Sequence, residues 1–268
     1  MPPFKAGCIK YCLQSWQNLT SDPNILSIVQ GCKIEFDGPI VEPRNSFRTT
    51  FSVTETPVIE EELDRLLAMG AIKQVPWSKK GFLSSIFTTP KKDGSTRMIL
   101  NLKKLNESVE YHHFKMDTLE HAVTLLTKGC LMASIDLRNA YHSIPMHQDS
   151  QKFLQFQYGD KLFQYTFLLF GSSAPRFFMK VLKTIFATLR ELGHLLLGYL
   201  DDTILLADSV LDCEEAVTEC VGLFQDLGFV VHEKKNVFQP TQSLVFLGFV
   251  LNSINMTVTL TTDKKANI

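Results

Sequence analysis

Two periods of apolar spacing organise this chain. Residues 1 to about 54 have a mixed pattern and end in the polar, Pro-containing stretch 38–56, which reads as a linker. Thr56-Pro57 then opens a helix, with Pro at the first helical position, Glu60, Glu61 and Glu62 near the positive end of its dipole and Gly70 past its end. Residues 82–102 favour strands, interrupted by Lys91-Lys92-Asp93-Gly94, and Asp-Gly between two apolar runs signals a hairpin. Asp117, with Glu120 three residues on, has the form of a capping box for a helix that stops before Gly129. A strand over 131–137 contains Asp136 near its end, and 153–158 and 161–167 make a hairpin through Gly159-Asp160. A long helix fills 174–192 and stops at Gly193. Residues 195–206 are apolar on both sides of Asp201-Asp202, the pattern of a strand hairpin with two carboxylates at its tip. An amphipathic helix over 211–227 ends at Gly228, and strands are expected at 229–232 and 244–251. From 131 onward the order is strand, inserted hairpin, helix, two strands, helix, strand. Without the insertion this is the split βαββαβ sheet of ferredoxin-like domains, so the fold class is α+β.

Composition changes this picture little. The 268 residues are 45% hydrophobic and 21% charged, an ordinary globular balance with room for a sizeable core. A net charge of −1 excludes a uniformly basic nucleic-acid coat but not local basic patches. Residues 71–115 are such a patch, nine Lys/Arg against three Asp/Glu. The six cysteines lack C-x-x-C pairs and matching histidines, so they read as buried or free thiols, not a zinc site or disulfide framework. No signal-peptide run opens the chain, and the apolar stretch 195–207 is broken by two aspartates. An intracellular protein, in cytoplasm or nucleus and with no membrane partner, is the expectation.

The candidate chemistry lies in GYLDDTILLA and MASIDLRNAYHSI. Adjacent aspartates often only cap turns. Here they sit between strongly β-forming apolar segments, where an unpaired carboxylate is costly. In a ferredoxin-like sheet the first strand and the central hairpin can lie side by side, bringing Asp136 to Asp201 and Asp202. Three like charges call for cations. Hard oxygen donors point to Mg²⁺, which keeps waters and takes substrate phosphates as its other ligands.

The ordered runs FTTPKKDGSTRMILNLKKLN, SIDLRNAYHSIPM, LLFGSSAPRFF, GYLDDTILLAD, GFVVHEKKNVF and FLGFV resemble the motifs of reverse transcriptases, most of all those of DIRS-type retrotransposons. The resemblance implies the fingers and palm of a right-hand polymerase over 56–253, after an extension and linker over 1–55 and before a truncated tail over 254–268. It implies RNA-directed DNA synthesis from dNTPs on a primed RNA or DNA template, with two Mg²⁺ ions (or Mn²⁺). By the same resemblance Asp136, Asp201 and Asp202 are catalytic and hold metal together with the Leu137 carbonyl. Arg97 and Lys91 or Lys92 bind the triphosphate, Phe170 and Gly171 line the nucleotide pocket, and Lys235 (or Lys234) lies near the triphosphate. Tyr141 is the ring that excludes a 2′-hydroxyl; read from its own context, it serves equally as a core tyrosine.

Two departures from the family pattern are visible. FGSSAP has four steps from Gly171 to Pro175 where relatives have five, and from the few residues that follow FLGFV a truncated core lacking thumb and ribonuclease H domain is the expectation. An active polymerase core and an inactive, fold-retaining remnant both remain as readings of the residues.

Overall fold

The structure, a computed structural model, describes residues 4–40, 50–77, 81–90, 96–110, 116–169, 174–232 and 234–265. After a 3-10 turn at Cys8–Cys12 come α1 (Leu13–Leu19), α2 (Pro23–Gly31), α3 (Glu55–Ala68), β1 (Ile72–Val75), β2 (Ile86–Pro90), β3 (Thr96–Leu100), α4 (Lys103–Asn106), α5 (Leu119–Leu125) and β4 (Leu131–Asp136). A 3-10 turn at Ala140–Ser143 leads to α6 (Gln148–Gln151), β5 (Gln155–Tyr158), β6 (Lys161–Tyr165) and α7 (Ala174–Glu191). The chain continues through β7 (Leu195–Tyr199), β8 (Asp202–Ala207), α8 (Val210–Asp226), β9 (Val237–Thr241), β10 (Ser243–Phe246), β11 (Phe249–Asn252), β12 (Thr257–Leu260) and α9 (Thr262–Lys265). Two compact units result, one from 1–11, 23–113 and 141–177, the other from 12–22, 114–140 and 178–268.

In the first unit, α3 starts on a reciprocal cap. Ser52 Oγ accepts the Glu55 N–H at 3.2 Å, and the Glu55 carboxylate accepts the Ser52 N–H at 3.0 Å. The same carboxylate accepts from Thr88 Oγ1 at 2.8 Å, which ties the helix start to β2. Pro57 therefore sits in the third helical position, not the first as its sequence context suggests. The buried face of α3 is Ile59, Leu63 and Leu66, spaced i, i+4, i+7. Strands β1, β6 and β5 form a three-stranded antiparallel sheet, and β2 pairs with β3 from Ile86↔Leu100 to Pro90↔Thr96. The tip of that second hairpin, with Lys91 and Lys92, lies outside the described residues.

In the second unit, the four-stranded sheet has order β7-β8-β4-β9. With α7 between β4 and β7, and α8 between β8 and β9, this is the expected split βαββαβ arrangement. Helix α7 buries Phe178, Leu182, Ile185, Phe186 and Leu189 along one stripe; α8 buries Cys213, Ala216, Cys220 and Phe224. Trp16 of α1 is fully buried there, its ring edge-on to Phe229 and its indole N–H donating to the Leu227 carbonyl at 3.0 Å. A further core joins Met132, Leu197, Ile204 and Leu206 of the sheet to Ala122 of α5 and to Leu244, Phe246 and Leu251.

Three expectations change. Residues 229–232 make only a single bridge, Leu137↔Val231, and the strand beside β4 is β9. Residues 244–251 are two strands, because Leu247 and Gly248 both adopt positive φ (50° and 76°) and turn the chain into a hairpin. The cap of α5 is Thr118, whose hydroxyl accepts the His121 N–H, so Glu120 falls one position short of a capping box. Asp117 pairs instead with His121 at 3.6 Å. All six cysteines are free, and Cys32, Cys130, Cys213 and Cys220 are buried.

Candidate active site

The second unit gathers its acids at one end of its sheet. Strand β4 pairs antiparallel with β8 in unbroken register from Leu131↔Ala207 to Asp136↔Asp202. Asp201 sits in the two-residue turn between β7 and β8, where Tyr199 faces Asp202 and Leu200 takes a positive φ of 55°. The Leu137 N–H donates to the Asp201 carbonyl at 3.1 Å and fixes that turn against the end of β4.

Backbone geometry decides how close these carboxylates come. Both backbone groups of Asp136 point away from β8. Its N–H donates to Asn236 Oδ1 at 2.7 Å, and its C=O accepts the His232 N–H at 2.8 Å. Asp136 and Asp202 therefore form a non-hydrogen-bonded pair, the antiparallel pairing that brings opposite side chains nearest.

Burial and neighbouring carboxylates raise the protonation of Asp201 and Asp202. Burial lifts the Asp201 carboxyl above its usual range; its own N–H opposes this, Asp136 adds to it and Lys235 pulls it back. Asp202 is pushed up to about 6, by burial first and then by Asp201 and Asp136, with Lys235 opposing. Lys235 Nζ stands 3.6 Å from Asp136 Oδ2 and is mostly solvent-exposed, so its attraction is screened. Lys234 instead gives its backbone N–H to His232 Nδ1 at 3.2 Å.

A packing constraint keeps the hairpin in place. A Cβ on Gly198 would lie 2.2 Å from the Phe186 ring, so only glycine lets α7 press its aromatic onto β7 next to Tyr199.

Among the described residues, no three His, Cys, Asp or Glu side chains close into a cage around one ion. The donor set still fits Mg²⁺, which binds through one or two carboxylates and fills its octahedron with water and phosphate oxygens. Partly buried, mutually repelling carboxylates, offset only in part by the exposed Lys235 ammonium 3.6 Å from Asp136, are a site that gains from added positive charge.

The other expected residues belong to the first unit. Arg97 is on β3, exposed, opposite Thr89. Tyr141 lies in the 3-10 turn Ala140–Ser143 and is buried. Phe170 and Gly171, like Lys91 and Lys92, lie outside the described residues, as does most of the shortened FGSSAP segment. Asn236 was not singled out from the sequence; nothing in its neighbours signals a bond to residue 136, which depends on how β9 enters the sheet.

A ferredoxin-like sheet with acids at the end of its first strand and on its central hairpin is the palm of a right-hand polymerase. Residues 89–251, more than half of the chain, match the model of the reverse transcriptase (RNA-dependent DNA polymerase) family, and the chain belongs to that family. It is similar to the transposon Tf2-3 polyprotein of Schizosaccharomyces pombe, 24% identical over 200 residues covering 74% of this chain and 15% of the polyprotein. An uncharacterized Caenorhabditis elegans protein is 30% identical over 196 residues, 72% of this chain and 15% of that one. The chain thus spans about 15% of the length of these relatives. Among solved structures, the foamy viral protease-reverse transcriptase in complex with dsDNA superposes with a TM-score of 0.75 at 22% identity, over 88% of this chain and 48% of that one. The same viral protein in complex with an RNA/DNA hybrid gives 0.69 at 19% identity, over 97% and 37%. These likenesses show the fold, fingers and palm. The family works with divalent metal ions. No described helix is long and apolar enough to cross a membrane.

Proposed function

We propose that this chain is the fingers-and-palm core of a retrotransposon polymerase that copies a primed RNA or DNA template into DNA from dNTPs. The polymerase domain spans 56–253 in this reading, with 1–55 as an extension. The observation that carries it is the close pairing of Asp136 with Asp202, with Asp201 in the adjoining turn and Lys235 offsetting only part of their charge.

Asp136 and Asp201, with the Leu137 carbonyl and Asp202, are the residues that would hold two Mg²⁺ ions (or Mn²⁺). When bound, these ions would lower the pKa of a primer 3′-hydroxyl and neutralise charge on the leaving pyrophosphate. The protein's own part is position. The β4–β8 register sets the spacing of the carboxylates, and the Leu137–Asp201 hydrogen bond holds the turn. Lys235, whose ammonium pairs with Asp136, would donate to a phosphate oxygen of the nucleotide. Arg97, with Lys91 or Lys92, supplies charge for the triphosphate from a basic segment, and Phe170 and Gly171 border the base pair. Tyr141 places a ring under the sugar and leaves no room for a 2′-hydroxyl.

Primer extension on an RNA template, with dNTPs and Mg²⁺, tests the reading. Extension by the chain and its loss in Asp201→Asn, with an unchanged far-UV spectrum, is the expected outcome. Equal extension by chain and variant removes the carboxylates from the chemistry.

A further inference from the structure

The flank of β4 opposite β8 contains a substitution of side chain for strand. Strand β9 begins at Val237 and meets β4 at Ser134↔Val237 and Met132↔Thr241, with a register shift between them. The pairing thus stops at Ser134, two residues short of Asp136. At the point where the ladder ends, Asn236 takes over with its side chain. Its Oδ1 accepts the Asp136 N–H at 2.7 Å, and its Nδ2 donates to the His232 carbonyl. The ring closes through the His232 N–H, which donates to the Asp136 carbonyl at 2.8 Å.

Asn is suited to this task because its amide carries an acceptor and a donor on one planar group, as a peptide unit does. Leucine offers neither, and aspartate would set a second acceptor against the His232 carbonyl. The two backbone groups of Asp136 are thus held from one short segment, 232–236, which also carries Lys235 to within 3.6 Å of the Asp136 carboxylate.

We infer that Asn236 is a positioning residue, whose amide replaces the missing strand neighbour and fixes the orientation of Asp136 for metal binding and nucleotidyl transfer. The inference rests on the functional reading given above. Without the amide, the last residue of β4 loses one of its two lateral ties while the rest of the ladder stays paired. A carboxylate held by one tie samples positions about 1 Å away, enough for a rate loss on the order of a hundredfold in a site that works by alignment.

Three measurements on Asn236→Ala and Asn236→Leu test it. Hydrogen exchange should show the Asp136 amide losing protection while the amides of Met132 and Ser134 keep theirs. Mn²⁺ titration followed by EPR should show weaker binding, by about tenfold. In primer extension kcat should fall by about a hundredfold with KM for dNTP nearly unchanged, and Asn236→Ser, which restores an acceptor on a shorter arm, should recover part of both losses. Unchanged exchange at Asp136, or unchanged Mn²⁺ affinity in either variant, overturns the inference. So does a kcat loss that merely tracks a lower melting temperature and a smaller folded fraction. If the unmodified chain extends no primer, the polymerase reading fails, while the exchange and Mn²⁺ measurements still decide the role of Asn236.

Discussion

Each unit of the molecule buries polar side chains within or beside a sheet, and the two treat them in opposite ways. In the first unit Gln151, Gln155 and Gln164 are buried and joined head to tail. Gln155 Nε2 donates to Gln164 Oε1 at 3.2 Å, Gln164 Nε2 to Gln151 Oε1 at 3.2 Å, and Gln151 Nε2 to the Met146 carbonyl at 2.9 Å. Amides both give and accept, so such a chain can satisfy itself without net charge. The carboxylates of the second unit only accept when ionised. Placed side by side across β4 and β8, they cannot pair with one another, and among the described residues the exposed Lys235 offsets them only in part. A self-satisfied network specifies the fold; an unsatisfied one specifies a ligand.

Substitution should separate the two regions, and the largest effect belongs to the acids. Asp201→Asn or Asp136→Asn should abolish primer extension while leaving the thermal midpoint equal or higher, since each change relieves repulsion. In the glutamine chain the pattern should invert. Gln164→Leu leaves the Gln155 amide and the Gln151 carbonyl oxygen without their partner, a loss of about 1–3 kcal/mol in chemical denaturation. The kcat of the folded fraction should not move. An acid variant that unfolds the protein, or a Gln164 variant that lowers kcat at full folding, would break the division.

The next effect falls on the hairpin that carries two of the acids. Gly198→Ala puts a methyl group 2.2 Å from the Phe186 ring, so α7 or β7 must shift. Overpacking of this kind costs about 1–3 kcal/mol. Extension should fall by more than the loss of folded protein explains, because Asp202 is only four residues on. Equal losses of stability and activity would mean that the hairpin tip moves independently of its stem.

Tyr141→Ala sharpens the first unit's share in the chemistry. The proposed ring under the sugar predicts a fall of at least about tenfold in the ratio of kcat/KM for dNTP over rNTP. Tyr141 is buried, so lost packing will lower stability as well. A constant ratio would mark it as a core residue alone.

The parts of this molecule that strong local patterns encode are legible in its sequence. Asp136, Asp201 and Asp202 stood out because acids interrupt or end runs of apolar strand residues, and the β4–β8 register then put them together. Other parts were hidden for physical reasons. Strand β9 reads VFQPT, and Val237, Phe238 and Gln239 are exposed. An edge strand with so little burial lacks the apolar alternation that betrays a strand, and Pro240 argues against one. The more apolar Phe229-Val230-Val231 looked like the better candidate, but Phe229 is spent on the rings of Trp16, Phe178 and Phe224. Asn236 was invisible because its bond to residue 136 spans a hundred positions. The turn at Leu247-Gly248 was readable in principle, since glycine inside an apolar run is a breaker signal.

The smallest expected effect concerns the charge that the acid cluster carries without metal. Asp202 titrates at about 6 in the folded chain, against an ordinary value of 3.8. Between those values the folded protein holds more protons than the unfolded one, so stability falls as pH rises through this window. The contribution is fully present below about pH 4 and lost above about pH 6. Asp201 is shifted in the same direction. Asp202→Asn removes the larger of the two slopes. In the presence of a chelator the variant should therefore melt progressively higher than the unmodified chain as pH rises from 4 to 7, by on the order of a few degrees at the upper end. Taking the difference between two otherwise identical proteins cancels the other titrating groups. Adding Mg²⁺ at pH 7 should narrow the gap, because an ion that binds only the folded carboxylates stabilises the unmodified chain by mass action. Parallel melting temperatures from pH 4 to 7 would mean that the acids are solvated well enough to ionise freely. The contrast with the glutamine chain would then rest on geometry alone.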